Sequence, residues 1–490
     1  MALGLRERAR PSNLKVALKR TLGPGIRRLT RARELEPLLW GLGRDDEGFL
    51  VTGRGGIRLQ DVLDRYGSPL FVADASRLDE NMAAFRHVPP GARAGVEVFY
   101  SYKTNPVSGL LERMHAAGVG AEVISEYELW LAERLGVPGD KIVLNGPGQS
   151  QSAIRRAVEI GALIQLNHRE QANLVAETAR AVGRRARVGL RVVAPLGWGS
   201  QFGEPIAGGE ALSAFRQLLG LPELDVVSVH SHIGGELATA DATEAFVGAV
   251  LAFCVTLRKE LDFVPEILDV GGSLACPTVT RPSEREQRLN RTFGIDVPPR
   301  NPSSVLGIRE YVDIVVRRVE ESCARHRWDR PRIFVEPGRA MTGNTQMLLC
   351  RVGALKSSGA AGLVHAVLDA GINVAEPLRN ERHQIFVIGP ESRTHEDYRL
   401  VGPICTPMDS LAWTRRLPRL TPGTTLAIMD AGAYFVPFST SFSFPRPAIV
   451  LLDKGRATLI RRGETFEDLV GRDVTDGAPA RATVARAVHA

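Results

Sequence analysis

The chain is poor in cysteine and in lysine, and several common signals are missing. Its 490 residues include five Cys (Cys254, Cys276, Cys323, Cys350 and Cys405), scattered, odd in number and without a CxxC pair. That excludes a disulfide framework and a cysteine-based zinc site. No stretch approaches the roughly 18 apolar residues of a membrane helix, and the N-terminus has no apolar core of a secretory signal. No GxGxxG follows the first strand-like run, so an open dinucleotide-binding sheet loses its main support. Wholesale disorder is excluded too, because 44% hydrophobic and 24% charged residues are ordinary for a chain with a large core.

The net charge is +7, but residues 1–34 hold ten Lys or Arg against two Glu. The remainder is therefore close to neutral, and the basic character belongs to an arm rather than to a nucleic-acid-binding face. The arm reads as disordered, with a weak amphipathic helix on an anionic surface as the alternative. These features predict a cytoplasmic protein with no nucleic-acid partner and no membrane span.

From residue 96 short β-branched runs alternate with helical stretches, at 96–102, 120–125, 141–145, 162–167, 187–193, 225–233, 266–271 and 332–336. Val107, Leu110, Leu111 and Met114 show the helical spacing between them. Ser125 and Glu128 are spaced as a capping box. Eight strands alternating with helices predict an α/β chain whose parallel sheet closes into a TIM-type β/α barrel. The span from Val96 to Arg339 suits the roughly 250 residues of that fold.

After Arg339 the rhythm changes. Segments 345–354, 361–369, 384–389, 424–429 and 447–460 read as strands without long helices between them, a mainly β second domain. The predicted division is a basic arm (1–45), a strand segment joining the β domain (46–72), the barrel (73–340), the β domain (341–470) and a polar tail (471–490). Residues 45–58 offer that domain a strand. Segment 277–305, rich in Pro, Arg and Glu, follows the seventh barrel strand and reads as a lid or a plain surface insertion.

Only seven of the 62 basic residues are Lys, and Lys103 alone falls at the C-terminal end of a predicted barrel strand. Arg stays protonated, whereas a partly desolvated Lys can become a neutral nucleophile and form an imine. Strand 6 ends in His230-Ser231-His232-Ile233-Gly234-Gly235, strand 7 in Asp269-Val270-Gly271-Gly272-Ser273, and strand 8 in Glu336-Pro337-Gly338-Arg339. Consecutive glycines let backbone N–H groups approach a phosphate, and Arg339 offers a fork to phosphate or carboxylate. Glu336 suits a ring nitrogen and His232 has a face for stacking on an aromatic ring.

This set resembles the fold-type III pyridoxal-phosphate decarboxylases, the diaminopimelate, ornithine and carboxynorspermidine group, and is nearest to the diaminopimelate type. Phe99 to Asn105 resembles the cofactor-lysine strand, His232-Ile233-Gly234 the ring-stacking motif, and Glu336 to Arg339 the EPGR motif. Gly402-Pro403-Ile404-Cys405 through Asp409 resembles the segment with the catalytic Cys, and Asp430 to Tyr434 the DAGAY motif, whose Tyr contacts the phosphate. The resemblance implies an alanine-racemase-like barrel plus β domain, and pyridoxal 5'-phosphate carried on Lys103. It implies cofactor contacts from His232, Gly235, Gly271, Gly272, Ser273, Glu336, Gly338, Arg339 and Tyr434, and substrate contacts from Arg339 and Asp409. It further implies a head-to-tail homodimer in which Cys405 completes the partner's site and protonates the product.

The sequence departs from the diaminopimelate pattern around the substrate. Thr406 follows Cys405 where Glu is expected, Gly235 replaces a Ser, and Ser273 replaces a third Gly. Asp369-Ala370-Gly371 leads to Glu376-Pro377-Leu378-Arg379-Asn380, without the expected Arg-Pro-x-x-Tyr. An amino acid with another distal end is therefore expected, and Glu376 would favour an amine there. The rival readings are a zinc hydrolase using His230 and His232, a regulator that lost catalysis, and a racemase.

Overall fold

The computed structural model describes residues 34–196, 201–357 and 364–474. Most of the basic arm and most of the tail lie outside these residues. All eight predicted barrel strands form, as Glu97–Ser101, Gly120–Val123, Ile142–Leu144, Leu163–Leu166, Ala186–Val193, Leu224–Ser231, Ile267–Asp269 and Arg332–Val335. They pair in parallel around a closed circle, strand 8 returning to strand 1. Six side chains (Phe99, Val143, Leu163, Val227, Ile267 and Phe334) form a separate apolar plug. Burial of each contributes about 1.5–3 kcal/mol.

The helices start and stop where local chemistry dictates. Helix Gln151–Ile160 begins at Ser150, whose side chain accepts from the Ala153 N–H, and ends at left-handed Gly161. At Ser125 half of the predicted capping box forms. Its hydroxyl accepts from the Glu128 N–H, but Glu128 accepts from Ile124 rather than from Ser125. One helix corrects the expectation about apolar runs. Ala240–Leu261, with a mean hydropathy of 1.6 over its best window, is long and apolar enough to cross a membrane. Here it packs on the barrel, burying Phe246, Val247, Val250, Phe253, Cys254 and Leu257.

The second sheet is built around Gln346–Ser357, which pairs with Val364–Leu368, Thr425–Ile428 and Leu70–Asp74. Leu70–Asp74 also pairs, in parallel, with Ile449–Asp453. Residues 45–58 add no ladder to this sheet. Leu50–Thr52 instead forms a hairpin with Leu42–Arg44 and sends one N–H to Ile388 O, at 2.7 Å. The single strand expected over 447–460 is two, Ile449–Asp453 and Arg456–Arg461, because Lys454 and Gly455 both take positive φ. Two strands, His395–Val401 and Ser410–Pro418, went unpredicted.

Segment 277–305 is fastened at both ends. Its helix Glu284–Phe293 opens with a Ser283/Glu286 capping box, and Asn290 donates to Thr414 O at 3.2 Å. Thr280 bridges Arg382 through two backbone hydrogen bonds. Arg300 reaches Glu236, beside the His232 loop, at 2.7 Å.

Candidate active site

Lys103 lies in the 3-10 turn Tyr102–Thr104, one step past the first strand. Its Nζ is 3.3 Å from Glu122 Oε2 on the second strand; the lysine side chain is 39% exposed and the glutamate's fully buried. Ser101 Oγ donates to the same oxygen, and Oε1 has no partner. Burial pulls the Lys103 pKa down, but Glu122, Tyr434 and Glu336 more than offset it, and the net shift is upward.

Glu336 is buried at the end of strand 8. Asn145 donates to its Oε1 at 3.0 Å, and His230 Nε2 lies 3.4 Å from Oε2. Burial works to raise its pKa, yet His230, then Lys103 and His232, hold it down at about 2. Asp269 goes the other way, pushed well up by burial and then by the Glu336 charge. The two shifts run in opposite directions because a charge on one buried carboxyl opposes ionisation of its neighbour. His230, Asp269 and Glu336 place their ligand atoms within 4.8 Å of one another.

His232 is pushed down to about 3 by burial, then by Arg191 and Lys103, so its ring is neutral near pH 7. The Gly234 N–H donates to Nδ1 at 3.1 Å, which places the ring proton on Nε2. Ser273 Oγ is 3.4 Å from Nε2. A Cβ at Gly272 would stand 2.5 Å from Glu336 O, and one at Gly338 would stand 2.3 Å from Thr104 Oγ1. These two approaches need glycine. Ser273 takes φ 77°, a left-handed conformation that costs a residue with a Cβ about 1 kcal/mol.

On the other flank Tyr434 donates its backbone N–H to Thr104 O at 3.0 Å. The Arg339 guanidinium lies 5.3 Å from the Tyr434 ring centre. Arg339 is paired end-on, its two terminal nitrogens donating to Glu381 at 2.9 and 2.7 Å. Glu381 also meets His383 at 3.2 Å and Arg281 at 3.5 Å.

The structure thus gathers Lys103, His232, Gly271, Gly272, Ser273, Glu336, Gly338, Arg339 and Tyr434 at one mouth, with Gly235 in the His232 loop. Among the described residues, no hydrogen bond or ion pair joins Cys405, Asp409 or Glu376 to that group. Cys405 is exposed. Asp409 is buried and accepts the N–H groups of Ile372 at 2.8 Å and Ile404 at 2.7 Å, so it shapes the cysteine loop. Glu376 faces Arg379, 3.9 Å away on its own turn.

Sequence reasoning missed Glu122, Asn145, Arg191 and Glu381. Glu122 was detectable as a lone charge in the buried strand Gly120–Val123. Arg191 shares the face of Gly189 by strand alternation, and Gly189 abuts the buried Gln165. Glu381 carried no signal, because its partner Arg339 is 42 residues away.

The mouth fits a flat aldehyde cofactor with a phosphate. It offers one amine, one neutral imidazole face, one fixed carboxylate and a glycine-lined rim, with Thr104 Oγ1 and both His230 nitrogens buried and without hydrogen-bond partners. Residues 76–343 match the family described as pyridoxal-dependent decarboxylase, pyridoxal binding domain. The chain belongs to that family. It is an enzyme, a pyridoxal-phosphate-dependent amino-acid decarboxylase. It is similar to diaminopimelate decarboxylase from Aquifex aeolicus, 27% identical over 87% of this chain and 96% of the relative. It is also similar to the enzyme of that name from Zymomonas mobilis, 29% identical over 84% of this chain and 94% of the relative. The crystal structure of M. jannaschii diaminopimelate decarboxylase with L-lysine shares the fold, with a TM-score of 0.78 at 23% identity, covering 89% of this chain and 98% of that one.

Proposed function

We propose that this decarboxylase removes the α-carboxylate of an amino acid whose far end differs from that of diaminopimelate. The observation that carries the reading is the engagement of Arg339 by Glu381, together with the missing Glu after Cys405 and the missing Arg-Pro-x-x-Tyr.

In this reading Lys103 carries the cofactor, His232 stacks on its ring, and Glu336 holds its charge against the ring nitrogen. Gly235, Gly271, Gly272, Ser273, Gly338 and Tyr434 take the phosphate, with Arg339 at its flank. Bound pyridoxal phosphate supplies an electron sink for the pair left by departing CO2. The depressed pKa of Glu336 serves that sink, because a carboxylate that stays anionic keeps the ring nitrogen protonated. Cys405 gives the proton to the α-carbon, and Asp409 fixes the loop that presents it. Glu376 is assigned to a cationic substrate end.

The same proposal includes a head-to-tail homodimer in which Cys405 serves the partner's Lys103. The exposed thiol, without a hydrogen bond to its own mouth, supports it. Five free cysteines support a reducing, cytoplasmic setting.

The test is the visible spectrum before and after borohydride, paired with a CO2-release screen over amino acids with different far ends. A bleachable band and CO2 from one class are expected. A colourless protein that takes up no pyridoxal phosphate overturns the proposal. For the dimer, Lys103→Ala and Cys405→Ala proteins, each inactive or slow, should regain activity on mixing; no recovery in mixed dimers would place both groups in one protomer.

A further inference from the structure

We propose that Glu381 determines specificity: its carboxylate fills the Arg339 fork in place of a substrate carboxylate and confines the enzyme to monocarboxylic amino acids. The inference rests on the decarboxylase reading above and names its substrate class.

The end-on fork of Arg339 is filled. Both terminal nitrogens of Arg339 point at Glu381, one to each oxygen, at 2.9 and 2.7 Å. The two side chains are only 9% and 10% exposed. Paired N–H donation to a carboxylate is the geometry by which Arg recognises such groups, so no second carboxylate can take the same fork. Glu381 is itself held from behind. His383 Nε2 is 3.2 Å from Oε2, its Nδ1 is 2.9 Å from Met429 O, and its ring packs edge-on against Phe435 at 5.1 Å. Arg281, from the segment after strand 7, approaches Oε1 at 3.5 Å. A substrate carboxylate would have to displace Glu381 from Arg339 and leave it buried without its bidentate partner, which is unfavourable.

The position is close to the reacting centre. Arg339 follows strand 8, which pairs with the strand leading to Lys103. Its guanidinium lies over Tyr434, whose N–H is bonded to the residue after Lys103. A far-end carboxylate seeking the Arg339 fork finds it occupied. A neutral end meets no such conflict. A cationic end is tolerated but gains little there, because three basic side chains already share Glu381.

The wild-type enzyme is expected to favour lysine or ornithine over diaminopimelate by about 10- to 100-fold in kcat/KM, the range for a hydrogen-bonded charged group. Glu381→Gln and Glu381→Ala should narrow or invert that ratio through KM for the dicarboxylic substrate. Calorimetric titration with pimelate, which has no amino group to react, should show binding to E381A and none to wild type. Wild-type enzyme that takes diaminopimelate as readily as lysine overturns the inference, and needs no variant. Folded, coloured variants with an unchanged ratio and no pimelate binding also overturn it. Failure of the parent reading looks different, as no CO2 from any amino acid whatever residue stands at 381, and it takes this inference with it.

Discussion

Lys103 and Arg339 stand at the ends of neighbouring barrel strands, and their surroundings contrast at every point. Lys103 has one close carboxylate and a side chain still 39% exposed. Arg339 is 9% exposed, with a carboxylate that also binds an imidazole and a second guanidinium. One cation is kept reachable and the other is locked. A reactive amine must meet an incoming carbonyl, so its neighbours tune it without enclosing it. A guanidinium cannot form an imine, and enclosing it costs no chemistry.

The widest separation of the two should come from Lys103→Ala, which should lower CO2 release by roughly three orders of magnitude or more, as loss of a nucleophile does. It should also remove any borohydride-fixed absorbance while leaving the fold intact, which circular dichroism would check. Retained fixed absorbance would move the reactive amine elsewhere and break the comparison.

Glu381→Gln tests the locked side by pH. Burial works to raise the Glu381 pKa, but His383, Arg339 and Arg281 hold it down at about 2. An unfolded glutamate titrates near 4.5, so the stabilisation is complete above that value and is lost as pH falls toward 2. At pH 7 it amounts to about 3 kcal/mol. Urea unfolding should show wild type ahead of E381Q by that order at pH 7, and the gap should fall to about half by pH 3 and close below pH 2. A constant gap would mean that Glu381 acts by shape alone.

A smaller effect is expected from Glu122→Gln. Glu122 is the leading group that holds the Lys103 pKa up. Its removal should move the pH dependence of pyridoxal phosphate uptake to lower pH, by about tenfold in rate at a fixed neutral pH if the shift is one unit. Stopped-flow absorbance would measure it. The smallest effect is Ser273→Gly, expected to stabilise by about 1 kcal/mol through relief of its left-handed backbone. A thermal melt that does not rise would show that the Ser273 contact with His232 matters more than the strain.

The barrel was readable because its strands are short, buried and punctuated by Gly or polar residues, which makes their periodicity local. His395–Val401 and Ser410–Pro418 were not, since Glu396, Asp397, Arg399, Arg415 and Arg416 interrupt any apolar run; they pair through ladder bonds and cross-strand charges. The Lys454-Gly455 turn carried a usable signal, a Gly at the second position of a tight hairpin. In the site, residues at strand ends were legible by position alone. Glu381 was not, because its partner Arg339 lies 42 residues away, which a single sequence does not reveal.

Strand Leu70–Asp74 lies ahead of the whole barrel in the chain, yet both its sheet neighbours, Gln346–Ser357 and Ile449–Asp453, come after it. As the chain leaves the ribosome, this strand has no partner until all eight barrel strands have been made. The barrel can close around its own nearly local contacts, whereas the second sheet must wait for its last strands and span the longest loops in the molecule. Loss of everything after the barrel would therefore leave Leu70–Asp74 as an unpaired, apolar edge, ready to pair with another chain.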